Sequence, residues 1–411
     1  MAPRELTVLV SGASVAGPIA AFWLRRFGFR PTVVERSSEL RTGGGGHAVD
    51  LFDSALDVMA WMGVHDKVQD ARTRNATVSL IRRGRPTVDA SLDRLWEGVG
   101  ERHVEIMRGD LARILYEAGA DDVEYIFDDS ISALTDTGSQ VEVSLERTPP
   151  PTVDLVVGAD GLHSTTRRLT FGEEQQFRRF LGGYLAVFTV PNYLGLNRRM
   201  VSFSDVDRTV AMYPVRDGNA RVLCLLRSRG EIPLDHHDSV AQRRLLHDTF
   251  GDLEWEVPRL LAGLDQADDL YVDSISQILM NSWSRGRVTL VGDAGYSPGA
   301  AVGGGTSLAV LGAYVLATSL AEAKGEPTAG FAGYERAIAE PVRQSRSIGP
   351  DVMKIIIPSS RSQIWLTAQA MRILPRLPLP IRRRLTSYGG GPAAMLKSVV
   401  LRDPRRVASP G

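Results

Sequence analysis

One cysteine, Cys224, occurs in a chain of 411 residues, so the sequence offers neither a disulfide framework nor a cysteine-based metal site. The 48 Lys and Arg residues equal the 48 Asp and Glu residues, so no global charge favours a nucleic acid or a membrane surface. No uninterrupted apolar run is long enough to span a bilayer, and no charged leader with an apolar segment begins the chain. These absences predict a cytoplasmic protein without a metal, a nucleic-acid partner or a membrane span. The length of the chain suggests two or three domains or one large intertwined domain.

The sequence does have a specific pattern in its first 36 residues. Residues 6–10 are a short apolar run typical of a buried strand, and the glycine-rich turn 12–17 follows directly. Apolar residues then recur at helical spacing, a second strand covers 31–34, and Glu35 ends it. This order predicts a dinucleotide-binding unit, in which backbone N–H groups meet a pyrophosphate and the acid binds a ribose. The candidate binding residues of the turn are Gly12, Ser14, Val15, Ala16 and Gly17.

Ser14 is a departure within this turn, because it occupies the middle glycine position of the G-x-G-x-x-G pattern. Serine is small and can donate a hydrogen bond, so we expect nucleotide binding to survive. An ordinary α/β turn is the alternative, and the surrounding strand, helix and acid weigh against it. Four glycines, 43–46, precede His47 and would let a large flat group lie against the backbone, unless they form a disordered loop.

Two later strands also end in glycine-marked turns. The apolar strand 153–157 leads to Asp160 and Gly161, and the strand 288–291 leads to Gly292 and Asp293. In a doubly wound sheet, ligands bind beyond the carboxyl ends of the strands, so all three turns can meet at one site. Taken singly, Asp160 could instead belong to a loop turn and Asp293 could cap a helix.

The whole pattern predicts an α/β fold, in which a Rossmann-like nucleotide-binding domain is interleaved with an antiparallel-sheet domain and followed by C-terminal helices. Alternating runs between 181 and 226 indicate an antiparallel sheet with one covered face, and 76–92 reads as a hairpin. We assign the segments 1–75, 100–178 and 270–345 to the nucleotide-binding domain, 76–99 and 179–269 to the sheet domain, and 346–411 to the C-terminal helices.

The C-terminal segment combines apolar residues, such as Trp365 and Leu366, with basic residues, such as Arg372 and Arg376. One interpretation is a helix that binds a membrane surface or a protein partner. The other is a helix packed over the ligand cleft with its charged side in solvent. Because three prolines between 375 and 380 interrupt any long amphipathic helix, the second interpretation is favoured.

With its three motifs in this order, the chain resembles the single-component class A flavoprotein monooxygenases, the FAD-dependent aromatic hydroxylases built like para-hydroxybenzoate hydroxylase. The tetracycline-inactivating and polyketide-tailoring members look most similar. The resemblance covers roughly residues 5–345, and three motifs at family-like spacing are much more specific than any one of them. It implies that the bound nucleotide is FAD and that the antiparallel sheet belongs to a substrate-binding domain.

By this resemblance, Gly12 and Gly17 turn around the FAD pyrophosphate and Glu35 holds the adenosine ribose. Arg36 and Arg108 match family arginines that line the FAD.

Asp160, with Ser164 and Arg167, matches a family motif that serves both FAD and the incoming NAD(P)H. Gly292 and Asp293 match another, whose carboxylate takes the ribityl hydroxyls.

A glycine-rich loop opens a long helix near the expected flavin ring, and its unpaired N–H groups suit the negative charge of reduced flavin. Its candidate contacts are Gly303, Gly304, Gly305, Thr306 and Ser307. The family pattern is not kept here: Tyr296, Ala300, Gly304 and Ser307 stand where histidine, proline, glutamine and asparagine are usual. These departures lie beside the expected isoalloxazine, so FAD binding is a firmer expectation than the oxygen chemistry.

The resemblance implies that NAD(P)H, as a transient co-substrate, reduces FAD. O2 then adds at flavin C4a, and the hydroperoxide hydroxylates or epoxidises an aromatic or polycyclic natural product. A flavin-dependent reductase or dehydrogenase on the same fold is the main alternative. A halogenase is disfavoured because its W-x-W-x-I-P stretch is missing, and a non-catalytic flavin-binding protein is a third possibility. We expect a monomer or a homodimer.

No Ser-His-Asp arrangement is evident, and the resemblance identifies no catalytic side chain. The substrate should bind between the flavin and the antiparallel sheet. Strand alternation turns only half of the sheet residues inward, so each candidate is more readily a core residue than a substrate contact. The candidate substrate contacts are His47, Tyr184, Phe203, Met212, Tyr213 and Trp283.

Overall fold

The computed structural model describes residues 5–40, 46–99, 102–149, 151–216, 218–235, 238–300, 303–386, 396 and 399–407, without the side chains of 96–99 and 383–386. Residues 43–45 of the glycine loop therefore lie outside the described residues. The described strands, in chain order, are β1 (Thr7–Ser11), β2 (Arg30–Glu35), β3 (Ala48–Phe52), β4 (Thr77–Arg82), β5 (Arg85–Ser91), β6 (His103–Met107), β7 (Glu124–Phe127), β8 (Ile131–Asp136), β9 (Val141–Leu145), β10 (Thr152–Val153), β11 (Leu155–Gly158), β12 (Arg178–Pro191), β13 (Arg199–Asp205), β14 (Arg208–Pro214), β15 (Asn219–Arg227), β16 (Tyr271–Ile278), β17 (Ser284–Arg285) and β18 (Val288–Leu290).

The described helices, in chain order, are α1 (Ala16–Arg26), α2 (Asp53–Trp61), α3 (His65–Asp70), α4 (Leu92–Val99), α5 (Arg108–Gly119), α6 (Thr165–Phe171), α7 (Ser239–Phe250), α8 (Val257–Gln266), α9 (Asp293–Tyr296), α10 (Gly305–Glu322), α11 (Pro327–Ile356), α12 (Arg361–Ile373), α13 (Leu379–Thr386) and α14 (Pro404–Val407). Short 3₁₀ turns cover Glu174–Gln176 and Leu374–Arg376.

A six-stranded sheet in the order β17-β18-β11-β1-β2-β7 forms the first layer. All of its pairings are parallel except that of β17 with β18. Val10 of β1 lies between Val33 of β2 and Val157 of β11, and all three side chains are buried. The sheet is apolar because both of its faces are covered, as the sequence predicted. Helices α1 and α10 pack on one face, and the small sheet of β8, β9 and β10 packs on the other. The carboxyl ends of β1, β11 and β18 lie side by side at one edge.

A seven-stranded sheet in the order β16-β12-β15-β14-β13-β4-β5 forms the second large layer. Its pairings are antiparallel except for that of β13 with β4, and they include the predicted hairpin of β4 with β5. One face packs on α7 and α8 through an apolar cluster that includes Phe188, Met212 and Leu260. The opposite face packs on the end of α11, where Met353 and Ile357 meet Leu185 and other sheet residues.

Three elements differ from the sequence predictions. The strand predicted near 270–279 is β16, which pairs with β12 in the seven-stranded sheet although we had assigned its segment to the nucleotide-binding domain. The strand β3 was not predicted, because one antiparallel partner, β6, stabilises a short run between a glycine loop and a helix. The helix α11 contains two internal prolines and continues to Ile356, past residue 345, where we place the end of the nucleotide-binding domain. This last part of α11 is maintained by its packing on the seven-stranded sheet, where Met353 is buried against Leu185 and Leu225.

The helix α10 is apolar along its whole length and is the one helix in the described part of the chain with the length and hydropathy of a membrane span. Most of it is buried against α1, α2 and α11, and the rings of Trp23 and Trp61 contact its Tyr314. An all-round apolar helix is also what the core of a large protein requires, and the packing accounts for α10 in that way.

Candidate active site

The turn after β1 has a backbone that excludes side chains. Gly12 has φ of +104° and donates its N–H to the carbonyl of Val34 at 2.8 Å. A Cβ at Gly12 would lie 2.6 Å from the carbonyl oxygen of Ala159, and a Cβ at Gly17 would lie 1.8 Å from that of Gly12. Both positions therefore require glycine, one for the close approach of two loops and the other for the packing of helix on strand.

The N-terminus of α1 begins at this turn with its own donors free of side-chain caps. Its N-cap residue, Val15, makes no side-chain cap, and no acidic residue lies in the first helical turn. Ser14 accepts a hydrogen bond from Nε of Arg108 at 3.2 Å, which brings a guanidinium to the positive end of the helix. Unpaired N–H groups, a hydroxyl and an arginine together form an anion-binding arrangement.

Glu35 lies at the carboxyl end of β2 and contacts the same turn. One carboxylate oxygen accepts the N–H of Ala13 at 2.8 Å, and the other accepts the N–H of Ser37 at 3.0 Å. The side chain is thus held beside the anion-binding turn. Arg36, the next residue, is exposed.

The second turn places Asp160 at the start of α6. Its carboxylate accepts hydrogen bonds from the hydroxyl of Ser164 at 2.5 Å and from the N–H and hydroxyl of Thr166, each at 2.9 Å. Ser164 is the N-cap and accepts the N–H of Arg167 at 2.9 Å. The aspartate therefore orders the loop after β11.

Arg167 is completely buried and joins two of the turns. Its guanidinium donates to the carbonyls of Leu162 and Ala294, at 2.7 and 2.9 Å, and to the carboxylate of Glu174 at 2.9 Å. Since Ala294 follows the turn after β18, this side chain fixes the second turn relative to the third. These contacts make Arg167 a positioning residue for the two turns.

The third turn brings Asp293 close to Arg108. Gly292 has φ of +68°, and a Cβ there would approach Ala16 of α1 and Ala309 of α10 to 3.4 and 3.3 Å. Both helices are thus packed around this glycine. Burial raises the pKa of the Asp293 carboxyl, while the positive charge of Arg108 opposes that increase. Arg108 therefore contacts the first turn through Ser14 and acts on the third turn through its charge.

A second uncapped helix N-terminus, that of α10, follows. Gly303 and Gly304 have φ of +83° and +74°, and α10 begins with no side-chain cap and no acidic residue in its first turn, Gly305 and Thr306 included. Ser307 is buried, and its hydroxyl does not extend this donor set. Its hydroxyl donates to the carbonyl of Asp50 and accepts the N–H of Phe52, both at 3.0 Å, so it fastens α10 to β3.

Tyr296, a departure from the family pattern, lies in the core under α10. Its hydroxyl is 3.0 Å from that of Tyr334, and its ring packs edge-on against Trp283 with centroids 5.0 Å apart. A Cβ at Gly312 would come within 2.0 Å of the Tyr296 hydroxyl, so a glycine in α10 makes room for it. This departure changes the packing behind the site.

His47 and Tyr213 meet where β3 faces the seven-stranded sheet. The hydroxyl of Tyr213 accepts the N–H of Ala48 at 3.2 Å. Burial, and then the charge of Arg108, lower the pKa of His47 to about 4, so its imidazole is neutral near pH 7. Burial raises the pKa of Tyr213 to about 12, so its phenol stays protonated. Two of the predicted substrate contacts are therefore neutral polar groups next to Arg108.

The other candidate substrate contacts do not lie with them. Tyr184, Phe203 and Met212 point toward α7 and α8, on the sheet face opposite Tyr213. Adjacent residues of a strand point to opposite faces of the sheet. The three candidates in β12, β13 and β14 lie on the face away from Tyr213. Trp283 is outside the sheet altogether and belongs to the core beneath α10.

Sequence reasoning missed a group of polar residues near this interface. Tyr271 of β16 donates a hydrogen bond to Asp273 of the same strand at 2.7 Å. The charges of Arg108 and Asp293 act on the pKa of Tyr271, and burial and the charge of Asp273 raise the pKa of Asp293. On the other side, Asp50 pairs with Nε2 of His103 at 2.7 Å, and burial raises the pKa of Glu105. The only available signal was an acid within each otherwise apolar strand, which does not reveal its neighbours. In the described ranges, no cluster of three His, Cys, Asp or Glu residues could hold a metal ion.

Comparisons with known proteins agree with this geometry. A family model described as an FAD binding domain matches residues 5–332. An uncharacterized protein of Mycobacterium tuberculosis is 43% identical over 330 residues, which cover 80% of this chain and 88% of the relative. A flavin-dependent monooxygenase of Legionella longbeachae is 38% identical over 356 residues, covering 84% and 88%. The crystal structure of the tetracycline destructase Tet(55) superposes with a TM-score of 0.80 at 32% identity, covering 95% of this chain and 98% of that one.

Proposed function

The chain belongs to the FAD-binding family of flavin-dependent monooxygenases, and from that premise we propose where its cofactor and substrate bind. The family expected from the sequence is confirmed. The protein is an FAD-dependent monooxygenase that acts on an aromatic or polycyclic small molecule, with the NAD(P)H co-substrate that is typical of the family. One observation carries the proposed location: Arg108 donates to Ser14 in the turn after β1, and its charge acts on Asp293 in the turn after β18, between two uncapped helix N-termini.

The residues of this region fit FAD by their chemistry. Its pyrophosphate requires backbone N–H donors, positive charge and room for close approach, which the first turn, Ser14 and Arg108 supply. Its hydroxyl-rich ribityl chain requires acceptors, and Asp293 is the carboxylate at the third turn. Glu35 is in place for the adenosine ribose, beside the N–H of Ala13 that it accepts here.

At the flavin end, the first turn of α10 supplies N–H groups and the positive end of a helix dipole. We propose that this end stabilises negative charge on the cofactor ring, with Gly303, Gly304, Gly305 and Thr306 providing backbone donors. The hydroxyl of Ser307 is engaged with β3, so the proposed contribution of Ser307 comes from its backbone N–H alone. When bound, FAD supplies the electron transfer from NAD(P)H and the activation of oxygen.

The substrate is proposed to bind against the sheet face that carries Tyr213. That face continues through the apolar side chains Leu185 and Leu225, which pack with Met353 at the end of α11. A largely apolar wall with a few neutral polar groups suits an aromatic or polycyclic molecule and excludes water from the reacting centre. His47 and Tyr213 can orient such a molecule through hydrogen bonds.

The function is tested by following NAD(P)H oxidation by the purified protein with a panel of phenolic polycyclic compounds under isotopically labelled oxygen. We expect a ligand that stimulates oxidation and gains one labelled oxygen atom. Flavin reduction without oxygen in any product would contradict the monooxygenase assignment and indicate a reductase.

A further inference from the structure

The C-terminal part of the chain has an unusual charge. Between Asp351 and Asp403 the sequence contains nine Lys and Arg residues and no Asp or Glu, although the whole chain is electrically neutral. Positive charge is therefore concentrated in this segment, which includes α12 and α13. A block of one sign attracts a surface of the opposite sign.

The solvent-facing side of α12 is apolar. Trp365, Leu366 and Ile373 are 47%, 59% and 53% exposed, while the small residue Ala368 is the one that packs against the protein. These three lie on one side of the helix, because positions 365, 366 and 373 recur at helical spacing. The interpretation favoured from the sequence placed the apolar side over the ligand cleft, and these exposed apolar residues contradict that part of it.

The apolar surface continues beyond α12. Ile355, at the end of α11, is 64% exposed, and Ile381 of α13 is 48% exposed. Arg361 and Arg372 flank the apolar side of α12 and are themselves exposed. Exposed large apolar residues that are rimmed by basic ones are characteristic of helices that lie in a lipid interface.

A basic groove lies between α12 and β5. Its volume is about 340 Å³, and it is lined by Arg94, Arg372 and Arg376 together with Asp89 and backbone of β5. Asp89 is already engaged, because it accepts hydrogen bonds from Ser79 at 2.6 Å and Arg199 at 2.8 Å. The groove therefore has a net positive lining that can accept a phosphate group.

We propose that α12 and its basic groove dock the protein on the surface of an anionic phospholipid membrane. Trp365, Leu366 and Ile373 enter the apolar boundary of the bilayer, while Arg372 and Arg376 contact lipid phosphates. The protein remains on the surface, since α10 is enclosed in the core. The charge of the segment selects this occupant over a second copy of the chain, whose apolar surface carries the same positive rim.

Flotation of the full-length holoprotein tests this proposal with vesicles of phosphatidylcholine, with or without phosphatidylglycerol. We expect binding to the phosphatidylglycerol vesicles only, and weaker binding as salt is raised. Leu366→Ser with Ile373→Ser should reduce partitioning on the order of tenfold or more. Arg372→Glu with Arg376→Glu should reduce it at least about fivefold for each arginine.

Matched controls separate this surface from general stickiness. Val240 is 67% exposed on α7, and Arg336 is exposed on α11, so Val240→Ser and Arg336→Glu should float like the wild type. Each variant should retain its flavin absorbance and thermal unfolding temperature, which shows that the fold is intact. Equal flotation of all variants, or equal binding to pure phosphatidylcholine, would overturn the proposal.

The position of Trp365 gives a second readout. Lipids brominated in their acyl chains should quench the fluorescence of the bound protein, and Trp365→Phe should remove that quenching although five other tryptophans remain. Failure to bind vesicles, combined with a concentration-dependent dimer that Leu366→Ser dissociates, would instead assign the apolar surface to contacts between copies.

Discussion

The six-stranded and seven-stranded sheets meet at the candidate site, and they contribute to it by different means. The first supplies backbone: Gly12, Gly17 and Gly292 each occupy a place where a Cβ would press on a neighbouring element. The second supplies the side chain of Tyr213 from one face, whose apolar residues pack on the end of α11, while its other face packs on α7 and α8. Only glycine satisfies the backbone requirement in the first sheet, so the residue type there is restricted. Both faces of the second sheet are apolar, so the residue type does not show on which face a residue lies.

This difference has a physical consequence for mutation. A change at a glycine of the first region should remove the cofactor site outright, because no alternative backbone path is available there. A change in the seven-stranded sheet should affect either substrate binding or the free energy of unfolding, depending on which face of the sheet carries the residue. The following experiments test that contrast, from the largest expected effect to the smallest.

Gly12→Val should have the largest effect, because its side chain would meet the carbonyl of Ala159 and block a phosphate. We expect the FAD content of the purified protein, measured by absorbance, to fall to about a tenth of the wild-type value or less. Gly28→Ala is the matched control. Gly28 also has positive φ, but no atom lies within 4 Å of its added Cβ, so that variant should lose about 1 kcal/mol of stability and retain FAD.

Asp293→Ala should weaken FAD binding by about 2–3 kcal/mol, the cost of removing a charged hydrogen-bonding group from a buried contact. Titration of apoprotein with FAD measures the change. Asp129 provides a contrast, since its carboxylate accepts backbone N–H groups of Ser130, Glu146, Arg147 and Thr148 at 2.8–3.1 Å. Asp129→Ala should lower the unfolding temperature while its FAD affinity stays near wild type. Equal FAD affinity in the two variants would contradict the role proposed for Asp293.

Adjacent residues of β14 distinguish the two faces of the seven-stranded sheet. Met212 is buried against α7 and α8, so Met212→Ala should lower the free energy of unfolding by about 2–5 kcal/mol and leave KM for the substrate unchanged. Tyr213→Phe should cost only about 1 kcal/mol in stability but raise KM. Denaturant unfolding measures the stability, and steady-state kinetics measure KM. The reverse pattern would contradict the assignment of these two faces.

The smallest effect is expected at His163, which joins the two regions. Its imidazole lies between Glu174 at 3.1 Å and Asp273 of β16 at 3.3 Å. Burial opposes its charge, but hydrogen bonds to Asp273 and Glu174 raise the pKa to about 9. The stabilisation is therefore fully present below the ordinary histidine pKa of about 6.5 and is lost as the pH rises through 9.

The stability difference between the wild type and His163→Gln should follow that pH dependence. We expect it to be greatest at or below neutral pH and to vanish above pH 9, with a modest size because the histidine is partly exposed. Denaturant titrations across this range provide the measurement. A difference that stays constant with pH would show that the contact acts without its charge.

The sequence could predict the parts of the fold that depend on backbone conformation and on the order of motifs along the chain. The turn at Gly12, the acid at Glu35 and the turn at Gly292 were all recognisable, because each pairs a glycine or an acid with the end of a strand. The structure brings these residues to one edge of a sheet, where their roles as FAD contacts stay predictions.

The remaining features depend on tertiary contacts that no local pattern encodes. Ser307 and Tyr296 suggested altered flavin chemistry, yet one fastens α10 to β3 and the other fills the core. Phe203 and Met212 lie on the face that packs on α7 and α8, which the sequence could not show because both faces of their strands are apolar. The exposed apolar side of α12 was missed for a similar reason, since periodicity identifies a face but not what covers it.

The absorbance spectrum of the purified protein tests the central claim most directly. The convergence of the turns around Arg108 and Asp293 predicts a bound flavin spectrum with FAD equimolar to the chain, and restoration of that spectrum when FAD is added to apoprotein. A well-folded, colourless protein that does not take up added FAD would contradict the proposed cofactor site.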